Sequence, residues 1–177
     1  MSKIVLQWQI NRYSNVSDYK KALLRFLQAK EAAASVPSCI QSQLEQPGIH
    51  MSHRLYTLEK IAGLIDGGAE RLSIIASFEH ALTRGIVGAP LPVTDESSEA
   101  ASSARLNLIL LGDSLDCVEM EKGLGRWTAI TLRIGFLDGQ MDVLPQFLAA
   151  YDIVVEDEEH RDLPSRLVGE IIALMKK

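Results

Sequence analysis

Several common protein classes are excluded by what the sequence has little of. Only two cysteines, Cys39 and Cys117, occur in 177 residues. They form neither a CxxC pair nor another metal-like spacing, which argues against a disulfide scaffold and a zinc site. No apolar run approaches the roughly 20 residues that span a bilayer. The opening stretch Met1-Ser2-Lys3-Ile4-Val5-Leu6-Gln7-Trp8 turns polar too early for a secretory signal, so a reducing, cytoplasmic location is expected. Nucleotide-loop signatures are also missing. Gly123-Leu124-Gly125 lies in no GxxxxGK[ST] or GxGxxG context, and Glu119 and Glu121 close by would repel phosphate. No cofactor is expected.

What is present suits one globular domain. Hydrophobic residues make up 47% of the chain and charged residues 23%, which is enough apolar content to fold. The formal charge of −5 is unevenly spread. Residues 1–86 carry 10 Lys/Arg against 7 Asp/Glu, whereas residues 87–177 carry 8 against 16. An acidic second half disfavours nucleic acid. The stretch 87–104 is rich in Ser, Pro and Ala and reads as a mobile linker. The expected organisation is a single domain, 1–177, with a helix-rich lobe over 1–86 and an acidic α/β lobe over 105–177.

Periodicity supplies the elements. Residues 3–10 alternate, with Ile4, Leu6, Trp8 and Ile10 on one side, as a half-buried strand does. Ser17 can cap a helix whose stripe is Tyr19, Leu23, Phe26, Leu27 and Ala34 and which ends before Pro37. A short helix fits 38–45. Another starts at Ser52, with Leu55, Leu58, Ala62 and Ile65 on one face, and stops at Asp66-Gly67-Gly68. Residues 70–84 read better as strand than helix. Strands are expected over 105–111, 127–137 and 151–155, with helical spacing over Met141, Leu144, Leu148 and Tyr151, where Pro145 must sit in the first turn. A final helix from 162 or 163 presents Leu167, Val168, Ile171, Ile172 and Met175.

Exposed polar positions alternate in 3–10 and 127–137, and strands of a fully covered parallel sheet do not usually show this. The expected fold is therefore α+β, a mainly antiparallel sheet with helices packed on one face. A compact three-layer α/β arrangement is the alternative, because the last 73 residues also read as βαβαβα.

Gly112-Asp113-Ser114-Leu115, directly after an apolar strand, resembles the nucleophile motif of the GDSL (SGNH) ester hydrolases. Asp157-Glu158-Glu159-His160 has that family's Asp-x-x-His spacing ahead of a C-terminal helix. The resemblance implies a flavodoxin-like parallel sheet and acyl-ester hydrolysis, with Ser114 as nucleophile, His160 as base and Asp157 orienting the imidazole. The family's Gly-x-Asn block has no counterpart, since no Asn follows Asn107.

His50 and His53, three residues apart near a helix start, lack a defined third ligand, so no metal is expected. The acidic residues Asp113, Asp116, Glu119 and Glu121, with Glu156, Asp157, Glu158 and Glu159, suit a rim that meets another protein, possibly one with a basic surface. The expected function is a small protein-binding module, an accessory subunit, chaperone-like adaptor or inhibitor without catalysis of its own. Neither nucleic acid nor membrane is expected as a partner, and a homodimer is compatible. The ester hydrolase is the alternative.

Overall fold

The computed structural model describes residues 16–76, 106–121, 128–137, 139, 141–156 and 162–175. The chain enters through helix α1 (Val16–Ser35) and the short helix α2 (Ser38–Gln43). Strand β1 (Ile49–His50), helix α3 (Arg54–Gly67) and strand β2 (Leu72–Ala76) follow. Gly68, at a φ of +79°, turns the chain out of α3, a backbone conformation that side chains disfavour. Next come β3 (Leu106–Gly112), a 3₁₀ segment (Leu115–Glu121), β4 (Thr128–Leu137), helix α4 (Leu144–Ala150), β5 (Ile153–Glu156) and helix α5 (Leu163–Leu174).

The sheet runs β1-β5-β4-β3-β2. β2, β3, β4 and β5 are mutually parallel, and only the two-residue β1 is antiparallel, against β5. The expectation of a mainly antiparallel sheet is thus corrected to a mostly parallel one in an α/β fold. One apolar face holds Ile109, Leu111, Leu132, Ile134, Phe136, Ile153 and Val155, packed under Ile40, Leu58, Ile61, Leu64, Leu167 and Ile171 of α2, α3 and α5. On the other, Leu137 and Val154 pack with Phe147 of α4 and with Tyr151. Helices therefore cover both faces, as in the layered alternative.

The physical reason for the misread direction lies in β4. Leu132, Ile134 and Phe136 are buried on one face, whereas Ala129 is exposed and Thr131 and Arg133 are half-buried on the other. Among the described residues the second layer meets β4 near Gly135 and Leu137, and its amino-terminal half keeps the half-exposed alternation of an antiparallel strand. The strand expected over 3–10 and the linker over 87–104 lie outside the described residues, as do residues 77–84. β2, from the first lobe, pairs with β3 of the second, so one sheet joins the two parts of the chain.

Helix α1 follows its expected bounds but not its expected stripe. Ala29 and Ala33 are buried, while Leu23, Leu24 and Leu27 are about half exposed. Small side chains are what its contact with α3 buries. The Pro145 expectation is met by a division of labour. Residues Met141–Val143 form a 3₁₀ turn, and α4 then begins with the proline in its first turn, where a missing N–H costs nothing.

Asp152, just before β5, ties three elements together. Its carboxylate accepts from Lys60 Nζ of α3 at 2.6 and 2.7 Å and from the Arg133 backbone N–H of β4 at 2.9 Å. Its own N–H donates to the Arg133 carbonyl at 3.0 Å. Its carbonyl accepts from Thr57 Oγ1 at 3.4 Å. Removing the carboxylate leaves a half-buried ammonium and a strand N–H without their acceptor, so Asp152→Ala should destabilise the fold by about 2 kcal/mol. Urea denaturation checks this as a lower midpoint at an unchanged slope.

Candidate functional site

Ligands of open parallel sheets bind beyond the carboxyl ends of the strands, where the loops converge. In this chain that end of the interior strand β3 is Gly112-Asp113-Ser114, followed by the 3₁₀ segment that carries Asp116 and Cys117. β3 is apolar because it is covered: Leu108, Ile109 and Leu110 are fully buried and Leu111 nearly so. The polar residues begin where the strand leaves the core. Asp113 is half-buried, and Ser114 and Asp116 are exposed.

The turn is held from beneath. Cys117 is buried, and its Sγ lies 3.2 Å from Ser114 Oγ and donates to Asp113 Oδ1 at 3.5 Å. The Cys117 N–H donates to the Ser114 carbonyl at 3.3 Å. That carbonyl also accepts the hydroxyl of Tyr151, which comes from the far side of β4 in sequence. Burial raises the Tyr151 pKa well above the ordinary tyrosine value, and the nearby Cys117 and Asp113 raise it further, partly offset by Arg133. The hydroxyl therefore keeps its proton at neutral pH and acts as a donor.

Two glycines make room for that ring. Gly112 and Gly135 are register partners on β3 and β4. A Cβ on Gly135 would sit 2.8 Å from two ring carbons of Tyr151 and 3.1 Å from Phe147, and one on Gly112 would meet the Tyr151 hydroxyl and Cys117 Cβ at 2.5 Å. Phe147 stacks on Tyr151 with centroids 5.4 Å apart and planes inclined by 21°.

Of the residues singled out from the sequence, Asp113, Ser114 and Asp116 share this turn. Asp157, Glu158, Glu159 and His160 lie outside the described residues, so the serine–histidine pairing of the ester-hydrolase resemblance has no described geometry. Ser114 Oγ instead faces a thiol. Glu119 belongs to the same 3₁₀ segment and is exposed, and Glu121 closes it. Glu156 is engaged elsewhere, its carboxylate paired with His50 Nε2 at 2.7 Å on the β1 edge. His53 packs edge-on against Tyr56, so the two histidines do not converge. The described residues contain no group of three or more His, Cys, Asp or Glu placed to hold a metal, and no helix among them is long and apolar enough to cross a membrane.

Sequence reasoning did not connect Tyr151, Cys117 or Gly135 with this turn. Tyr151 looked like the end of an apolar stripe, and nothing in its neighbourhood along the chain points to Ser114, 37 positions away.

A comparison with known families matches residues 90–172, slightly under half of the chain, to the family model described as pyrimidine 5'-nucleotidase (UMPH-1). Among solved structures, a crystal structure of cytosolic 5'-nucleotidase IIIB bound to cytidine superposes with a TM-score of 0.57. The alignment has 13% sequence identity and covers 77% of this chain and 97% of that one, which is a likeness of fold. No curated protein matches the chain. These findings overturn the expectation of a non-catalytic accessory, adaptor or inhibitor module, and with it the ester-hydrolase alternative.

The glycine pair yields a direct test of this packing. Gly135→Ala should cost about 1–3 kcal/mol, because the added methyl must displace an aromatic ring clamped by Phe147 rather than a flexible side-chain tip. A lowered Tm in thermal unfolding, with the mixed α/β circular dichroism spectrum retained, is the expected result.

Proposed function

We propose that the chain hydrolyses phosphate monoesters of nucleosides, releasing inorganic phosphate from a pyrimidine nucleoside 5'-monophosphate. The observation that carries this reading is the match of the pyrimidine 5'-nucleotidase family model over 90–172, a stretch that contains the Gly112–Glu121 turn and strands β3, β4 and β5. The fold likeness to a nucleotidase crystallised with cytidine supports it. So does the position of the turn at the carboxyl end of an interior parallel strand.

The reaction forms a bond from a water-derived oxygen to phosphorus and breaks the bond to the sugar 5'-oxygen, which leaves with a proton. A phosphate monoester approaches as an anion, and Asp113 and Asp116 alone would repel it. Asp113, Ser114 and Asp116 bring hard oxygen donors to one accessible turn, a donor chemistry that suits Mg²⁺, an ion that takes one or two carboxylates and completes its shell with water and substrate phosphate. Asp113 and Asp116 would hold it. When bound there, such an ion would supply charge neutralisation for the transferring phosphoryl group. The protein's own part is orientation. Among the described residues Asp113 Oδ1 accepts a weak thiol hydrogen bond from Cys117, and a carboxylate has further acceptor capacity beyond one such bond. The Ser114 hydroxyl stands exposed beside it, able to donate to a phosphate oxygen.

Purified protein incubated with Mg²⁺ and a panel of pyrimidine and purine 5'-monophosphates should release phosphate, with pyrimidine substrates preferred. Asp113→Asn should lower kcat by about 10²–10³-fold, the scale of losing one charge-stabilising group, with the thermal midpoint changed little. No phosphate release from any nucleotide of the panel would sink the reading.

A further inference from the structure

The turn that carries Asp113 and Asp116 is tied to a part of the chain that the hydrolysis reading does not use. Tyr151 follows α4 and precedes β5, at 2% exposure. Its ring occupies the space left by the paired glycines of β3 and β4, and its hydroxyl donates to the carbonyl of Ser114. A buried hydroxyl is unfavourable unless it is hydrogen-bonded, and phenylalanine would fill the same ring space without that demand. The acceptor it uses is a main-chain carbonyl of the acidic turn, one that also receives the Cys117 N–H and so starts the 3₁₀ segment bearing Asp116.

We infer that Tyr151 is a positioning residue for the phosphate site, fixing the Asp113–Asp116 turn from below through the Ser114 carbonyl. The inference rests on the reading of that turn as the site of hydrolysis. Tyr151 touches none of the reacting atoms. Its effect is on where the two carboxylates stand, and a site of this kind tolerates about 0.5 Å of misplacement, with a 1 Å error costing on the order of 10²-fold in rate. Cys117 completes the hold on the side chains, since its Sγ contacts both Ser114 Oγ and Asp113 Oδ1. The backbone of the turn depends on Tyr151 and the 114–117 bond.

The test uses Tyr151→Phe, with Leu144→Ala as a packing control. Leu144 is partly buried against the same apolar cluster, and its side chain carries no polar atom to bond the turn. Two measurements are made on the full chain: phosphate-release kinetics, and amide hydrogen exchange of residues 114–117 followed by NMR. Tyr151→Phe should lower kcat by about tenfold or more with KM nearly unchanged, since a displaced site loses transition-state stabilisation rather than uniform binding. It should also speed exchange at Cys117 relative to the β3 amides. Leu144→Ala should lower the thermal midpoint while leaving kcat per folded molecule and exchange at 114–117 as in the parent chain. Unchanged kcat or unchanged exchange in Tyr151→Phe overturns the inference, as does an equal loss of kcat in Leu144→Ala. A parent chain without phosphatase activity defeats the hydrolysis reading, and with it the positioning role. Exchange at Cys117 then still reports whether Tyr151 holds the turn, so the two failures are distinguishable.

Discussion

The parallel pairing of β3 with β4 is the constraint from which the rest of the structure follows. In that register Leu111 stands beside Ile134 and Gly112 beside Gly135. The first pair belongs to the core under α2, α3 and α5. The second pair lies where the aromatic ring of Tyr151 meets the sheet. A slip of one residue would turn the apolar sets of both strands to the wrong faces and would break up the flat glycine patch. The same pairing determines where β3 ends, and so where Asp113 leaves the core.

The two ends of the sheet are stabilised differently. Near the amino end of β5, Asp152 is fully engaged, with Lys60 and the Arg133 backbone around its carboxylate. Its side chain is 19% exposed and that of Lys60 32%. This arrangement fastens α3 to the β4–β5 junction. At the carboxyl end of β3, by contrast, the carboxylates are left accessible while the main chain and the Cys117 thiol are tied down. Asp152 serves the fold as a paired carboxylate, whereas Asp113 is half-buried and Asp116 exposed at the strand end. The acid-rich second half of the sequence contains both kinds, and composition alone cannot separate them.

Much of the chain's local structure was legible in advance. Hydrophobic periodicity placed α3, β3, β4 and α5 within a few residues, and the Pro145 rule placed the start of α4. The turn after β3 was visible as Gly-Asp-Ser, and its resemblance to a hydrolase motif drew attention to it. The serine–histidine pairing attached to it has no described geometry, since Asp157 and His160 lie outside the described residues, and the partner of Ser114 Oγ among the described residues is Cys117, three positions away. Strand direction was also misjudged. Alternation in β4 records how completely a second layer covers it, and a parallel strand covered along half its length alternates in the same way.

The sequence by itself determined where elements begin and end, which faces are apolar, and that acidic residues gather after β3, since these depend on neighbours within a few positions along the chain. Only the tertiary structure decided the parallel direction of the sheet, the engagement of Lys60 with Asp152, and the seating of Tyr151 on Gly112 and Gly135 under the Asp113 turn. Each of these joins residues separated by tens of positions. The two glycines show the reason most directly. Alone each reads as a weak point in a strand, and their value appears only when the register sets them side by side and a ring from another segment fills the space.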